Sequence, residues 1–200
     1  MKYVVLVNGP AGAGKDTFES MCSLIVDLKY HGKNVSVTKM SAVDRVKQAA
    51  SYLGWDRVKT DESRKMLSDL KDFADQHILS TAEYLISRID KHTTWGPFGE
   101  EGDPPKATAD IIFIDIREAG DASSINSHYE ESSDVTVIGV YISRESVIPV
   151  NSNRADVLAQ EWNPMFPYRI HNDGTYGELM DEAEGFLELL LVGNRFRPSC

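Results

Sequence analysis

The chain has 200 residues, 42% of them apolar, which is enough for the core of one domain. Its 21 Lys and Arg against 31 Asp and Glu leave a formal charge of −10 with no Lys/Arg block, which argues against nucleic-acid binding but leaves room for a small phosphorylated ligand in a local basic pocket. Cys22 and Cys200 lie far apart without metal spacing, no apolar run has the length of a membrane span and no signal peptide is recognised, so a reducing, cytoplasmic setting without a membrane partner is expected.

Residues 2–8 carry Val4-Val5-Leu6-Val7 without polar alternation, the pattern of a parallel strand covered on both faces. The strand runs into Gly9-Pro10-Ala11-Gly12-Ala13-Gly14-Lys15-Asp16-Thr17. This matches the phosphate-binding loop G-x-x-x-x-G-K-[ST] at every fixed position but the last, where Asp16 stands and Thr17 follows. A helix is predicted from about Gly14 to Tyr30, with Phe18, Met21, Leu24, Ile25 and Leu28 inward and His31-Gly32 as its stop. A second strand is expected over 34–40. Ser41 is then expected to cap a helix through Leu53 with Val43, Val46, Ala50 and Leu53 inward. Asp61 is expected to cap a helix to about His77 with Met66, Leu67, Leu70 and Phe73 inward. Ser80 or Thr81 opens a further helix to about His92, built on Ala82, Leu85, Ile86 and Ile89. Thr93 to Ala109, with three prolines and three glycines, reads as a loop.

Asp110-Ile-Ile-Phe-Ile-Asp115 reads as a buried strand ending on a carboxylate, with Arg117 two residues further. A short helix over 120–132, a strand over 135–143, a long connection to Pro167 and a short strand over 168–172 follow. Asp173-Gly174-Thr175 then turns into a helix through about Val192, with Leu179, Ala183, Phe186, Leu187 and Leu190 inward. Strands alternating with helices imply a parallel sheet with helices on both faces. With the phosphate-binding loop, the expected fold is α/β of the P-loop NTPase kind, three layers, α/β/α, around a mostly parallel five-stranded sheet. One domain is expected over residues 1–193, with an acceptor-binding helical part at about 41–109 and a lid-like segment at about 144–167, followed by a tail from 194 to 200. Ligands of such folds sit beyond the carboxyl ends of the strands, so the glycine loop, Ser41, Asp115-Arg117, Arg144 and Asn172-Asp173 should share one rim.

Glycine-rich loops leave backbone N–H groups uncovered, and these groups, with the positive end of the following helix, make a nest for phosphate oxygens. Lys15 adds a mobile charge for the outer phosphates. Asp16 has two readings, a magnesium ligand acting directly or through water and a first-turn acid favoured by the helix dipole. Thr17 suits an inner phosphate. Asp115 either orients metal-bound water or Lys15, or pairs only with Arg117. Arg117 suits an acceptor phosphate, against an ion pair with Glu118 or Asp115. Arg144 and Arg154 flank a segment that fits a lid over the transferred phosphate, or are solvated surface charges. Asp44, Lys47, Arg64 and Arg88 lie on helices where an acceptor can sit, or on solvated faces. The five histidines show no ligand spacing. Trp55, Trp95 and Trp162 suit either base stacking or packing. There is no G-x-S-x-G, H-E-x-x-H or C-x-x-C, so hydrolase, zinc-protease and redox readings lack support.

The stretches GPAGAGKDT, IIFIDIRE and YRIHNDGTYGEL together resemble the deoxynucleoside monophosphate kinases of bacteriophages, within the wider nucleoside monophosphate kinase group of P-loop proteins. That family has GKDT in its loop, D-x-R at the end of its third strand and NDG after its last. The resemblance implies transfer of the γ-phosphate of ATP, with Mg2+, to a deoxynucleoside monophosphate. It implies that Gly12, Gly14, Lys15, Asp16 and Thr17 hold ATP; Ala13 is expected to line the same cofactor site, and Asp16 and Asp115 are the expected metal-side carboxylates. Asp115 and Arg117 then work at the phosphate centre, with Asn172 and Gly174 near the donor adenine and the Ser41 to Lys47 stretch facing the acceptor. The chain departs from the family at the lid, where only Arg144 and Arg154, not a close arginine pair, lie between Ser143 and Tyr168. A kinase for another small phosphorylated acceptor, such as phosphomevalonate or dephospho-coenzyme A, and a non-catalytic nucleotide sensor are the alternatives. The guanine signature N-K-x-D is missing. Oligomeric state, a homodimer included, is open.

Overall fold

A computed structural model describes residues 1–58, 60–92, 109–148, 157–160 and 162–192. Its centre is a five-stranded sheet in the order β2-β3-β1-β4-β5, every pairing parallel. The strands are β1 (Lys2–Asn8), β2 (Val35–Ser41), β3 (Ala109–Asp115), β4 (Val135–Ser143) and β5 (Tyr168–His171). Central β1 and β3 hold the continuous apolar runs, because both of their faces are covered.

The helices form two layers. On one face lie α1 (Lys15–Lys29) and the last helix, α6 (Tyr176–Leu191), packed on Val5, Val7, Ile111, Phe113 and Val140. Phe18 meets Phe113 edge-on at 6.3 Å between ring centroids and Phe186 at 5.6 Å. Each such buried ring contributes roughly 1.5–3 kcal/mol through burial. On the other face α4 (Thr81–Lys91) and α5 (Ala119–Tyr129) cover Val4, Leu6, Ile112 and Ile114. The two remaining helices, α2 (Asp44–Tyr52) and α3 (Asp61–His77), pack on each other, and α3 also packs on α4. The expected α/β/α architecture is therefore present.

Several local expectations are corrected. Ser41 does not cap α2. It is the last residue of β2, paired with Asp115, and Val43 holds the N-cap position. Leu53 is 80% exposed, since α2 ends at Tyr52 and the chain turns away. Thr60, not Asp61, caps α3, in a reciprocal capping box with Ser63. Phe73 is 57% exposed, while α3 buries Lys71 and Ala74. Ser80 and Thr175 cap α4 and α6 through boxes with Glu83 and Glu178. Residues 93–108 and 193–200, expected as a loop and a tail, lie outside the described residues.

Strand register fixes what meets at the carboxyl rim. Val7 lies opposite Asp115, Asp115 opposite Ser41, Asn8 opposite Tyr141 and Ser143 opposite His171. The glycine loop leaves β1 in the middle of this row.

Candidate active site

The loop takes the path its glycines permit. Gly9, Gly12 and Gly14 have φ of 139°, 85° and 96°. Gly9 runs so close to the end of β4 that a Cβ there would lie 2.0 Å from the carbonyl oxygen of Ile142. Gly14 is the N-cap of α1 in the left-handed region, and a Cβ on it would meet Asn172 Nδ2 at 2.2 Å. Asn172 uses that position. Its Nδ2 donates to the Ala13 carbonyl at 2.9 Å, and its backbone N–H donates to Ser143 at 2.8 Å. The NDG turn after β5 is thereby tied to the loop. Asp173 accepts from the Glu145 N–H at 2.5 Å, and Gly174 sits exposed in the turn before α6. Gly14→Ala is expected to cost about 1–2 kcal/mol in urea unfolding, through backbone strain and loss of the Asn172 bond. In an Asn172→Ala background about half of that cost should disappear.

Lys15 Nζ donates to the carbonyls of Gly9 and Pro10, both at 2.9 Å. Burial holds its pKa below the usual lysine value, and Asp115 opposes that shift. Asp115, at the end of β3, has its Oδ1 buried with no hydrogen-bond partner among the described residues. Burial raises its pKa; Lys15 pulls it down, Asp16 pushes it up, and Arg117 and Lys47 also pull it down. The charges of the sequence-predicted Lys15, Asp16, Arg117 and Lys47 thus all act on Asp115. Asp16 and Thr17 are exposed in the first turn of α1.

A second group lies one strand over. Lys39, Met40, Ser41, Asp44, Tyr84, Leu85 and Arg88 line a small cleft of about 30 Å³. Asp44 accepts from the Ser41 N–H at 2.8 Å and sits 3.9 Å from Lys47, while Arg88 reaches the Tyr84 hydroxyl at 3.3 Å. Ser41, Asp44 and Arg88 therefore share a cleft at the end of β2, with β3 between it and the strand that leads into the loop. Arg64, in the first turn of α3, is not among its lining residues. Arg144 is exposed just after β4, and Arg154 and the centre of the 144–167 segment lie outside the described residues. Trp162 is covered by the Arg169 guanidinium at 3.8 Å and donates to the Phe166 carbonyl, so it packs locally.

Two residues at this site were missed by sequence reading. Asn8 closes β1 and is buried; its Nδ2 donates to the carbonyls of Ile116 at 2.7 Å and Arg117 at 3.1 Å, pinning the chain that carries Asp115 and Arg117. The available signal was a polar residue ending an otherwise apolar strand. Glu19, one turn after Lys15, is 4% exposed. Burial and the field of Asp115 push its pKa up to about 8, against Lys39. Nothing in the pattern around it marks it as buried.

Mg2+ is the ion a P-loop implies. It binds through one or two carboxylates, retained waters and substrate phosphates rather than an all-protein cage. The unpartnered Asp115 oxygen beside Asp16 and Lys15 fits that mode. Among the described residues no group of three His, Cys, Asp or Glu is placed to hold an ion. No helix among them is long and apolar enough to cross a membrane.

No protein-family model matches the chain, and no curated protein matches it in sequence. Solved structures are similar in fold. A mutant of the APS kinase CysC of Mycobacterium tuberculosis aligns at 13% identity and TM-score 0.43, covering 94% of this chain and 97% of that one. The protein APE1195 aligns at 13% and 0.49, covering 95% and 96%. The tunicamycin resistance protein of Deinococcus radiodurans aligns at 14% and 0.43, covering both chains in full (100% each). These likenesses concern chain path; what the site does rests on its own residues.

Proposed function

We propose that the protein is an ATP-dependent phosphotransferase acting on a small phosphorylated acceptor, with a deoxynucleoside or nucleoside monophosphate as the favoured substrate. The observation that carries this reading is Asp115: a half-buried carboxylate whose Oδ1 is buried without a hydrogen-bond partner among the described residues, set by register beside the strand that leads into the glycine loop, one strand from a cleft holding Ser41, Asp44 and Arg88. Donor and acceptor phosphates placed on these two neighbouring features would meet over β3. The GKDT, D-x-R and NDG stretches support the nucleotide acceptor.

Phosphoryl transfer asks for positioning and charge neutralisation. A phosphate oxygen of the acceptor attacks the γ-phosphorus, and the electron pair of the breaking bond goes to the bridging oxygen of ADP. The loop N–H groups at the start of α1 hold the donor phosphates. Lys15 exchanges its two carbonyl partners for phosphate oxygens. Mg2+ bound with ATP supplies further neutralisation. Arg117 and Arg88 offer planar forks to the acceptor phosphate.

A coupled ADP-release assay over deoxy- and ribonucleoside monophosphates, with phosphomevalonate and dephospho-coenzyme A included, tests the reading. Turnover on at least one nucleoside monophosphate is expected; silence on all acceptors would leave a nucleotide sensor. Arg88→Ala is expected to raise acceptor KM about tenfold, equivalent to one charged hydrogen bond, with ATP KM unchanged. An unaltered acceptor KM would return Arg88 to the surface.

A further inference from the structure

Glu19 is the one buried carboxylate of the loop region that the transfer scheme leaves idle. It lies four residues after Lys15 on α1, so both project from the same helix face. Its Oε1 is buried without any hydrogen-bond partner among the described residues, and its Oε2 has only Lys39 Nζ, at 3.7 Å, too far for a hydrogen bond. Lys39 spends its own hydrogen bond on Ser20 Oγ at 2.9 Å. Asp115 is the charge that acts on Glu19 most strongly, ahead of Lys39, Asp16 and Lys15. Lys15 meanwhile is drawn onto the carbonyls of Gly9 and Pro10. Glu19 and Asp115, whose charges act on one another, are thus each left with one buried oxygen that has no hydrogen-bond partner among the described residues, and Lys39 only approaches Glu19 at 3.7 Å.

Such a pair is costly in a protein interior unless a further positive charge or donor arrives with a ligand. A water carried by a divalent cation supplies both. It donates to a carboxylate oxygen, and its ion offsets the charge. We propose that Glu19 is a positioning residue for the donor's divalent cation, accepting a hydrogen bond from one of its coordinated waters while Asp115 faces the ion. Lys39 stands in for that charge when the nucleotide is absent. The inference rests on the phosphotransferase reading for the presence of a metal–nucleotide complex, but not on the acceptor.

The test is Mn2+ titration of the full chain in the presence of ADP, followed by electron paramagnetic resonance, alongside ADP binding in EDTA by calorimetry. Glu19→Gln is expected to weaken Mn2+ binding about tenfold or more, the range for outer-shell partners, with metal-free ADP affinity unchanged. Glu19→Asp should lose less than Glu19→Gln. Lys39→Met separates this role from a structural ion pair: removing the competing cation should leave Mn2+ affinity unchanged or tighter. Wild-type Mn2+ affinity in Glu19→Gln, or weakened Mn2+ binding in Lys39→Met, overturns the proposal. Should Glu19→Gln fail to fold, Lys39→Met alone decides. If the wild type binds neither ADP nor Mn2+–ADP, this proposal and the phosphotransferase reading fall together. If the Mn2+ effects appear while every acceptor is silent, only the acceptor reading falls.

Discussion

Lys15→Ala is expected to lower kcat by about 10²–10³-fold, equivalent to roughly 2.7–4 kcal/mol of transition-state stabilisation, the loss typical of removing one preorganised electrostatic group. The ammonium is drawn toward the loop carbonyls of Gly9 and Pro10 at 2.9 Å, within the field of Asp115. In the proposed reaction it exchanges those carbonyls for phosphate oxygens. Burial lowers its pKa, against the field of Asp115, so the charge is partly desolvated. Single-turnover and steady-state rates with the best acceptor measure the loss, and urea unfolding separates it from damage to the loop. Lys15→Arg should not rescue the rate, because a planar fork cannot take the place of a point charge between two converging carbonyls. Activity within a few-fold of wild type would remove the loop from the transfer step.

Much of the fold was legible because it depends on local signals. The glycine loop, the apolar runs of β1 and β3 and the inward face of α6 lie in the sequence as they lie in the structure. The rim followed from topology: parallel strands bring Asp115, Ser41 and the loop together whatever the side chains do. Side chains whose burial depends on distant partners were not legible. Glu19 sits between the core residues Phe18 and Met21, and periodicity does not say on which edge of the apolar stripe a carboxylate is covered. α3 shows the same effect more strongly. Its apolar residues predict Phe73 inward, yet a lysine is buried and Phe73 is exposed. The partners that reverse the pattern, Glu118 and Asp121, belong to a segment far along the chain.

That lysine, Lys71, is where the largest stability change is expected. It is 7% exposed, and its Nζ lies 2.8 Å from Asp75, 3.0 Å from Glu118 and 3.4 Å from Asp121. Burial alone would lower its pKa, but the bonds to Asp75 and Glu118 and the field of Asp121 reverse the sign and raise it. Lys71→Met would leave Glu118 and Asp121 facing a neutral side chain, while Asp75 keeps Arg45 at 2.6 Å and the Thr81 hydroxyl at 2.8 Å. Removing one partner of a buried ionic group costs about 3–5 kcal/mol. For a chain of this size that is a fall in Tm of about 10 °C. A lysine with a raised folded-state pKa contributes fully below its unfolded value and loses that contribution only as pH rises through the folded one, so the deficit should be constant from pH 6 to 9. It should narrow in acid, where Glu118 and Asp121 become protonated and no longer need a cation; adding Asp121→Asn to Lys71→Met should recover part of it at neutral pH. The network also has a functional edge. Glu118 directly follows Arg117, so Lys71 fastens α3 to the segment that carries Asp115 and Arg117, the residues proposed for the acceptor side. Lys71→Met, assayed well below its lowered Tm, should therefore raise acceptor KM more than ATP KM, whereas a purely global loss of stability would move neither.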